Sequence, residues 1–183
     1  MMLWDTVTGS ASLRWDALHS GHTTAAAMVR GDGEGNVAIS GGQDGAVCMV
    51  DARVWQDPVC VRGVHVTDKG HGAVGAIKQG AGGVGGYVVT AGADGTVRVL
   101  DLRESLGEVV RVLLTDFPYD LCVVGGHALV GCGDGSLHVV EVGAGKRLYA
   151  LGANRAAVRV AMASGGQLVA AGDDGTAMLY RFP

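Results

Sequence analysis

The side chains most able to do chemistry in this sequence are four aspartates that each precede a glycine: Asp44, Asp94, Asp134 and Asp174. Glycosidases use two such carboxylates as acid and base, but those must lie close together in one site. Here each carboxylate belongs to a different copy of a repeated segment, so the four do not form such a pair. Their repetition indicates a structural role instead.

Three further patterns resemble ligand sites without completing one. His19 and His22 have the spacing of a metal-binding pair, but no nearby Cys, Asp or Glu cluster supplies the remaining zinc ligands. Residues 32–36 begin like a calcium loop, yet Val37 stands where the sharp turn of that loop needs glycine. Residues 80–85 match the glycine fingerprint of dinucleotide sites, but they lead into a predicted strand and not into a helix. We therefore expect no metal, no cofactor and no catalytic residue.

The elements that position the four aspartates are repeated hairpins. Each Asp-Gly pair precedes a strand of alternating apolar residues, which is a strong hairpin signal. The period is roughly 40 residues with one longer unit, and such periods are typical of stacked supersecondary units. The units are predicted to end near residues 53, 103, 142 and 182, with residues 1–9 as the remnant of a preceding unit. The apolar period is two almost throughout, so no helix is expected.

Sixteen strands are expected on this basis. They are predicted at 12–17, 25–29, 36–40, 46–50, 54–69, 73–78, 87–90, 96–100, 108–114, 120–124, 128–130, 136–140, 147–151, 157–161, 167–170 and 176–180.

The sequence resembles the WD40-repeat family of β-propellers over nearly its whole length. Gly21-His22 precedes Asp51 and Gly70-His71 precedes Asp101 at separations suited to the Gly-His and Trp-Asp pairs of that family, and a literal Trp-Asp pair survives at Trp4-Asp5. The resemblance implies an all-β domain over residues 1–183, a WD40-type β-propeller with about four blades of four antiparallel strands.

Most propellers of this family have seven blades, so four units imply an incomplete or open array. Three interpretations stay open: the carboxy-terminal part of a longer protein, an open array that pairs with another chain, or a strained four-bladed ring. The beginning of the sequence within a predicted strand favours the first.

The resemblance also implies a hydrogen-bond network that pins each blade, since buried His and Asp side chains need partners. In this sequence the network residues are His22, Ser40 and Asp44 in the first unit, His71, Thr90 and Asp94 in the second, Asp134 in the third, and Asn154 with Asp174 in the fourth. The third unit has Asp116 or Phe117 near the histidine position and Val130 in the hydroxyl position, so Asp134 has fewer partners. Replacing Asp44 or Asp94 by alanine is expected to cost about 1–3 kcal/mol, and replacing Asp134 less.

Composition narrows the partners and the compartment. The 14 Lys and Arg residues are scattered and the net charge is −4, so no nucleic acid partner is expected. The apolar stretches are too short to cross a bilayer, and the amino terminus has no secretion signal. Cys48, Cys122 and Cys132 lie in apolar strands where reduced thiols are usual, which predicts a cytoplasmic or nuclear protein.

The resemblance implies a non-enzymatic scaffold or adaptor that presents its loops to protein or peptide partners, such as a substrate-recognition or signalling-complex subunit. The alternatives are a propeller enzyme or small-ligand binder, or a truncated repeat protein without independent activity. Trp15 and Trp55 could contact partners or pack between blades. Exposed loop positions are the other candidates for partner binding: Thr23, Thr24, Gln43, Arg155 and Asp173.

Overall fold

The computed structural model describes residues 1–30, 35–54, 57–80 and 82–181. Two sequence features fall in the gaps between these ranges. Trp55 lies outside the described residues, as do residues 32–34 of the calcium-like loop.

The four Asp-Gly pairs form hairpin turns of one kind. In each turn the glycine amide donates to the carbonyl three residues earlier, as from Gly45 to Gly42 at 3.1 Å and from Gly95 to Gly92 at 3.0 Å. The four glycines have φ between 70° and 82°, a region that costs other L-residues free energy. This conformation lets the chain reverse and enter the next strand, which explains why glycine follows aspartate each time.

The predicted all-β fold with four-stranded antiparallel sheets is confirmed. The strands are β1 (Met2–Asp5), β2 (Ser10–Arg14), β3 (Thr23–Val29), β4 (Val37–Gly42), β5 (Val47–Asp51), β6 (Val59–Val61), β7 (Val66–Thr67), β8 (Gly70–His71), β9 (Val74–Gln79), β10 (Tyr87–Gly92), β11 (Thr96–Asp101), β12 (Gly107–Leu113), β13 (Pro118–Val124), β14 (His127–Cys132), β15 (Ser136–Glu141), β16 (Lys146–Gly152), β17 (Val158–Ser164), β18 (Gln167–Gly172) and β19 (Ala177–Arg181).

Within each sheet, the paired strands are consecutive in sequence. Three sheets have four strands, in the orders β3 to β6, β9 to β12 and β13 to β16. The last sheet consists of β17, β18 and β19, while β1 with β2 and β7 with β8 form separate hairpins. The arrangement is a series of antiparallel meanders, as short connections favour.

The apolar core lies in layers between consecutive sheets. One buried cluster around Ile39 and Ile77 joins the first and second four-stranded sheets, and another around Val99 and Leu121 joins the second and third. A third cluster around Leu137 and Leu168 joins the third four-stranded sheet to the last sheet. Alternate residues of each strand therefore face the neighbouring sheet, and each sheet depends on the next one to exclude water.

The structure differs from the predicted strands mainly in the outer segment at 54–69. This segment contains the short strand β6 and part of the exposed hairpin β7–β8 instead of one long strand. β2 also ends at Arg14, three residues before the predicted end. Among the described residues there is no α-helix, but Gly82–Val84 form one turn of 3₁₀-helix within the glycine-rich insertion.

The prediction that Cys48 is a reduced thiol is wrong. Cys48 on β5 lies directly opposite Cys60 on β6, and the two sulfurs form a disulfide. The spacing of the cysteines did not indicate this pair, because spacing alone does not fix the register of the short strand β6. Cys122 and Cys132 are free, and burial raises the pKa of the Cys122 thiol to about 11. The cytoplasmic or nuclear location stays a prediction, and one of the thiols that supported it is lost.

We expect the denatured, unreduced chain to show two reactive thiols in a titration with Ellman's reagent, and four after reduction. Replacing Cys60 by alanine should lower the free energy of unfolding by about 2–4 kcal/mol, because the bond restrains the unfolded chain across 12 residues. Cys122→Ala, at a free cysteine, is the matched control for the loss of one thiol. Four reactive thiols before reduction would contradict the disulfide.

Candidate functional site: a loop face held by buried polar side chains

The candidate site is the edge of the array formed by the four Asp-Gly turns and by the loops that precede β3, β9, β13 and β17; we call it the loop face. Each turn aspartate first accepts a hydrogen bond from the amide two residues later, as Asp94 does from Thr96 at 3.1 Å and Asp174 from Thr176 at 2.9 Å. This local bond is the ordinary Asx turn. The second partner of each carboxylate comes from a distant loop and differs from unit to unit.

In the first unit the distant partner is His19. Its Nδ1 lies 3.1 Å from Asp44 Oδ1 and its Nε2 lies 2.8 Å from the hydroxyl of Ser40. The amide of Ser20 donates to Asp44 Oδ2 at 2.9 Å, and the half-exposed Arg62 also reaches this oxygen. Burial alone would raise the pKa of Asp44, but these donors hold it below its usual value.

In the second unit the distant partner is His65, which has no exposed surface. Its Nδ1 lies 2.8 Å from Asp94 Oδ1 and its Nε2 lies 2.9 Å from the hydroxyl of Thr90. The guanidinium of Arg98, itself 5% exposed, donates to Asp94 Oδ2 at 3.0 Å and to Glu108 at 2.5 Å. Despite burial, the hydrogen bond from His65 and the other donors hold the pKa of Asp94 well below its usual range. This unit therefore has the most extensive buried network of the four.

The placement of the network histidines at His22 and His71 is wrong. Both side chains are exposed, and the imidazoles that reach the turns come from three and six residues earlier in the sequence, at His19 and His65. Gly21 and Gly70, which precede the predicted histidines, have φ of 126° and 117°, and at these points the chain turns towards solvent. An apolar residue directly before each histidine was the sequence signal for the inward-facing imidazoles. His19 follows the buried Leu18, and His65 follows the buried Val64.

The third unit has an arrangement that the sequence did not suggest. Thr115 donates to Asp134 at 3.0 Å, and its hydroxyl lies 2.9 Å from Nε2 of His138, an imidazole supplied by β15 and not by the preceding loop. Ser136 links the same two side chains at 2.5 Å and 3.0 Å. Asp116 and Phe117, expected near the histidine position, lie beside this network; the carbonyl of Phe117 accepts from Gly133.

His138 makes the stability of this unit dependent on pH. Burial lowers the pKa of His138 below its ordinary value, and Arg147 acts in the same direction while Asp134 opposes it. The unfolded chain therefore binds a proton at a pH at which folded His138 stays neutral, so stability falls as the pH drops through the unfolded pKa near 6.5.

We expect the urea concentration at the midpoint of unfolding to decrease as the pH is lowered from 7.5 to 5.5. His138→Gln should reduce the dependence of this midpoint on pH. His127→Gln, at the start of the neighbouring strand β14, is the control. An unchanged slope in His138→Gln would contradict the assignment.

In the fourth unit Asn154 takes the place of histidine, as the sequence suggested. Its Nδ2 donates to Asp174 Oδ1 at 2.8 Å and to the hydroxyl of Thr176 at 2.8 Å. The amide of Arg155 donates to Asp174 Oδ2 at 2.6 Å. These donors, led by the amide of Arg155, hold the pKa of Asp174 well below its usual range.

The residues proposed for partner binding divide into two groups. Thr23, Gln43 and the side chain of Arg155 are exposed on the loop face. Thr24 is also exposed, but its hydroxyl donates to the carbonyl of Val74 at 2.6 Å and ties β3 to the next sheet. Asp173 is half-exposed and accepts three hydrogen bonds from Arg159 at 2.7 to 2.9 Å.

A group of residues that sequence reasoning missed connects the third and fourth turns on this face. The side chain of Arg159 lies over the ring of Tyr119, 4.0 Å from its centroid, and pairs with Asp173 in the fourth turn. Phe117 lies two residues before Tyr119 and is 54% exposed. We call Phe117, Tyr119 and Arg159 the aromatic patch. Trp15, by contrast, packs in part against the buried cluster around Leu18.

Two kinds of feature are absent from the part of the chain that the structure describes. No group of three or more His, Cys, Asp or Glu side chains is arranged to hold a metal ion. No helix there is long and apolar enough to cross a membrane.

No model of a protein family matches the chain, and the comparison with curated proteins gives no significant match. Solved structures do match it. The computationally designed protein Ika4 matches with a TM-score of 0.72 and 20% identity over 90% of this chain and 94% of Ika4. The designed protein Ika8 matches with a TM-score of 0.79 and 20% identity, over 99% of this chain and 52% of Ika8.

Sqt1 of Saccharomyces cerevisiae, a WD40 protein, matches with a TM-score of 0.82 and 12% identity over 98% of this chain and 52% of Sqt1. The chain thus spans about half the length of Ika8 and of Sqt1. At these identities the likeness shows the fold alone, and that fold is propeller-like.

Proposed function

We propose that the chain is a WD40-type β-propeller array of four units whose loop face binds peptide or protein partners without catalysing a reaction. The fold supports this, because loops on a rigid scaffold can vary in recognition while the strands keep their packing.

The observation that carries the proposal is the aromatic patch and the rigidity of its support. Phe117 and Tyr119 expose apolar area next to a turn whose aspartate is fixed by Thr115 and Ser136. Tyr and Arg are enriched among the residues that dominate binding energy at protein interfaces. A surface whose aromatic side chains are already ordered loses less conformational entropy when a partner docks.

The neighbouring surface extends the patch towards the second unit. A shallow cavity of about 540 Å³ lies between the hairpin β7–β8 and the loop before β13, and Lys69, Leu113 and Phe117 contribute to its wall. Leu113 is 71% exposed there. An extended peptide lying across the loop face would therefore meet apolar side chains from two adjacent units, with Lys69 available for polar contacts.

The test is selection of a random peptide library displayed on phage against the purified chain. We expect enriched peptides whose Kd rises at least about 30-fold in Phe117→Ala or Tyr119→Ala, the effect of losing an interface residue of the dominant class. Val109→Ala removes a comparably exposed side chain from β12, away from the loop face, and should leave Kd unchanged. Peptides that bind all three variants equally would place the binding site elsewhere, and no enrichment at all would overturn the proposal.

A further inference from the structure

The first hairpin leaves an apolar cleft against the first four-stranded sheet. Met1 and Trp15 pack beside Val50 at the outer part of that sheet, next to the hairpin of β1 and β2. The rest of the same face stays uncovered as a cavity of about 370 Å³, whose wall includes Ala26, Met28 and Ala38. Met28 is 53% exposed there. The face that the other sheets bury against a neighbour is therefore only half covered here.

The last sheet exposes an apolar face at the other end of the array. Its inner face, with Leu168 and Ala170, is buried against the third four-stranded sheet. On the opposite face, Met162 lies across from Val169 and Val169 lies across from Leu179, so the three side chains form one row. Their exposed fractions are 67%, 40% and 56%. We call this row the terminal row.

The strand pairing of the two ends is also complementary. β19 pairs with β18 on one side, and no described strand pairs with its other side. In the three four-stranded sheets the corresponding third strand, for example β11, has partners on both sides. At the other end β1 and β2 pair only with each other among the described strands. Among the described strands, the sheet of β17, β18 and β19 thus has no outer fourth strand. The hairpin of β1 and β2, at the other end, has no inner strands beside it.

The likeness to longer chains suggests what size of assembly this geometry fits. Ika8 and Sqt1 each match 98–99% of this chain with only 52% of their own length. The same spatial succession of sheets therefore occurs as about half of a chain twice as long. A second copy of the present chain would supply as many sheets as the other half of such a chain.

We propose that two copies associate end to end, with the terminal row of each copy packed into the cleft beside Met28 of the other. The three-stranded sheet of one copy covers the inner part of the first four-stranded sheet of its partner, and β19 lies beside the partner's first hairpin. Both surfaces are apolar, so their burial drives the association. The inference rests on the propeller arrangement proposed above, but not on the peptide-binding role of the loop face.

The arrangement predicts two identical contacts in each dimer, and complementation between variants tests this. Met162→Lys places a charge in every terminal row and Met28→Lys places one in every cleft, so either homodimer would bury two unpaired ammonium groups. We expect sedimentation equilibrium to show a wild-type dimer, and each variant alone to dissociate at least about 100-fold more readily. Val109→Lys, at a comparably exposed site on β12, should leave the dimer intact.

An equimolar mixture of Met162→Lys and Met28→Lys retains one unmodified contact, between the intact cleft of the first and the intact row of the second. We expect heterodimers in the mixture, detected by sedimentation with one variant fluorescently labelled. Far-ultraviolet circular dichroism and urea unfolding verify that both variants fold. A monomeric wild type, or a dimer that survives either lysine substitution, overturns the proposal, as does the absence of heterodimers from folded variants. Peptide selection on monomeric Met162→Lys keeps a failure here distinct from a failure of the proposed function.

Discussion

Replacing Asp94 by alanine is expected to lower the free energy of unfolding by about 3–5 kcal/mol, the range measured when one partner of a buried ion pair is removed. The substitution leaves Nδ1 of His65 without its acceptor in a site with no exposed surface. It also removes one of the two carboxylates that pair with Arg98, whose side chain is 5% exposed. The expected cost exceeds that of losing an imidazole partner alone, because the buried guanidinium of Arg98 loses a partner as well. The part played by this guanidinium was not apparent from the sequence.

The measurement is urea unfolding followed by circular dichroism at pH 7, with two substitutions for comparison. Asp134→Ala should cost less, since its partners Thr115 and Ser136 are neutral hydroxyls with access to water. Asp173→Ala breaks an ion pair in which both side chains are about half exposed, and it should leave the midpoint nearly unchanged. Equal midpoints for the three variants would contradict the ranking.

The same network should make the wild type sensitive to acid. Because the pKa of Asp94 is lowered in the folded protein, its contribution is present above the unfolded value near 4 and is lost as the pH falls towards the folded value. The stability difference between the wild type and Asp94→Ala is therefore expected to narrow below pH 4. A difference that stays constant down to pH 2 would show that folding does not lower the pKa of Asp94.

Replacing Gly45 by alanine is expected to cost about 2–5 kcal/mol, from two causes that add. Gly45 has φ of 70°, a conformation that costs L-residues about 1–2 kcal/mol. An added Cβ would also overlap the backbone carbonyl oxygen of His65, which cannot swing aside like a side chain. Forced repacking of that kind typically adds about 1–3 kcal/mol. The loop that carries His65 would have to move, although its amide donates to the carbonyl of Gly45 at 3.1 Å.

Gly95→Ala separates the two causes. Gly95 occupies the same position in the next turn, with φ of 72°, but an added Cβ there meets no atom within 4 Å. We therefore expect Gly95→Ala to cost only about 1–2 kcal/mol. Thermal and urea unfolding of both variants would measure the difference in their free energies of unfolding. Equal losses of stability would mean that the loop before β9 moves away from the added Cβ at no cost in free energy.

Local chemistry made much of this fold readable from the sequence. Aspartate followed by glycine satisfies an Asx turn and supplies a residue at positive φ, so each copy specifies its own hairpin without help from the rest of the chain. The alternating apolar residues that follow make a strand with one face for each neighbouring sheet. The serine, threonine and aspartate positions of the first two units could be named before any distance was known because the resemblance to WD40 repeats implied them.

The partners of those aspartates were decided by tertiary structure. An imidazole can reach a turn from any point of a loop that passes near it, so the order of residues did not distinguish His19 from His22 or His65 from His71. The arrival of His138 from β15, the bond between Cys48 and Cys60, and the stacking of Arg159 on Tyr119 depend likewise on strand register.

The sequence by itself thus determined the repeated hairpins, because each one is stabilised by contacts within a few residues. Only the tertiary structure decided how neighbouring sheets hold the loop face in place and which surfaces at the two ends stay uncovered. Those features arise from contacts between residues far apart in the sequence, such as His65 and Asp94, which are 29 positions apart. The energies of these contacts depend on distances that no local pattern encodes.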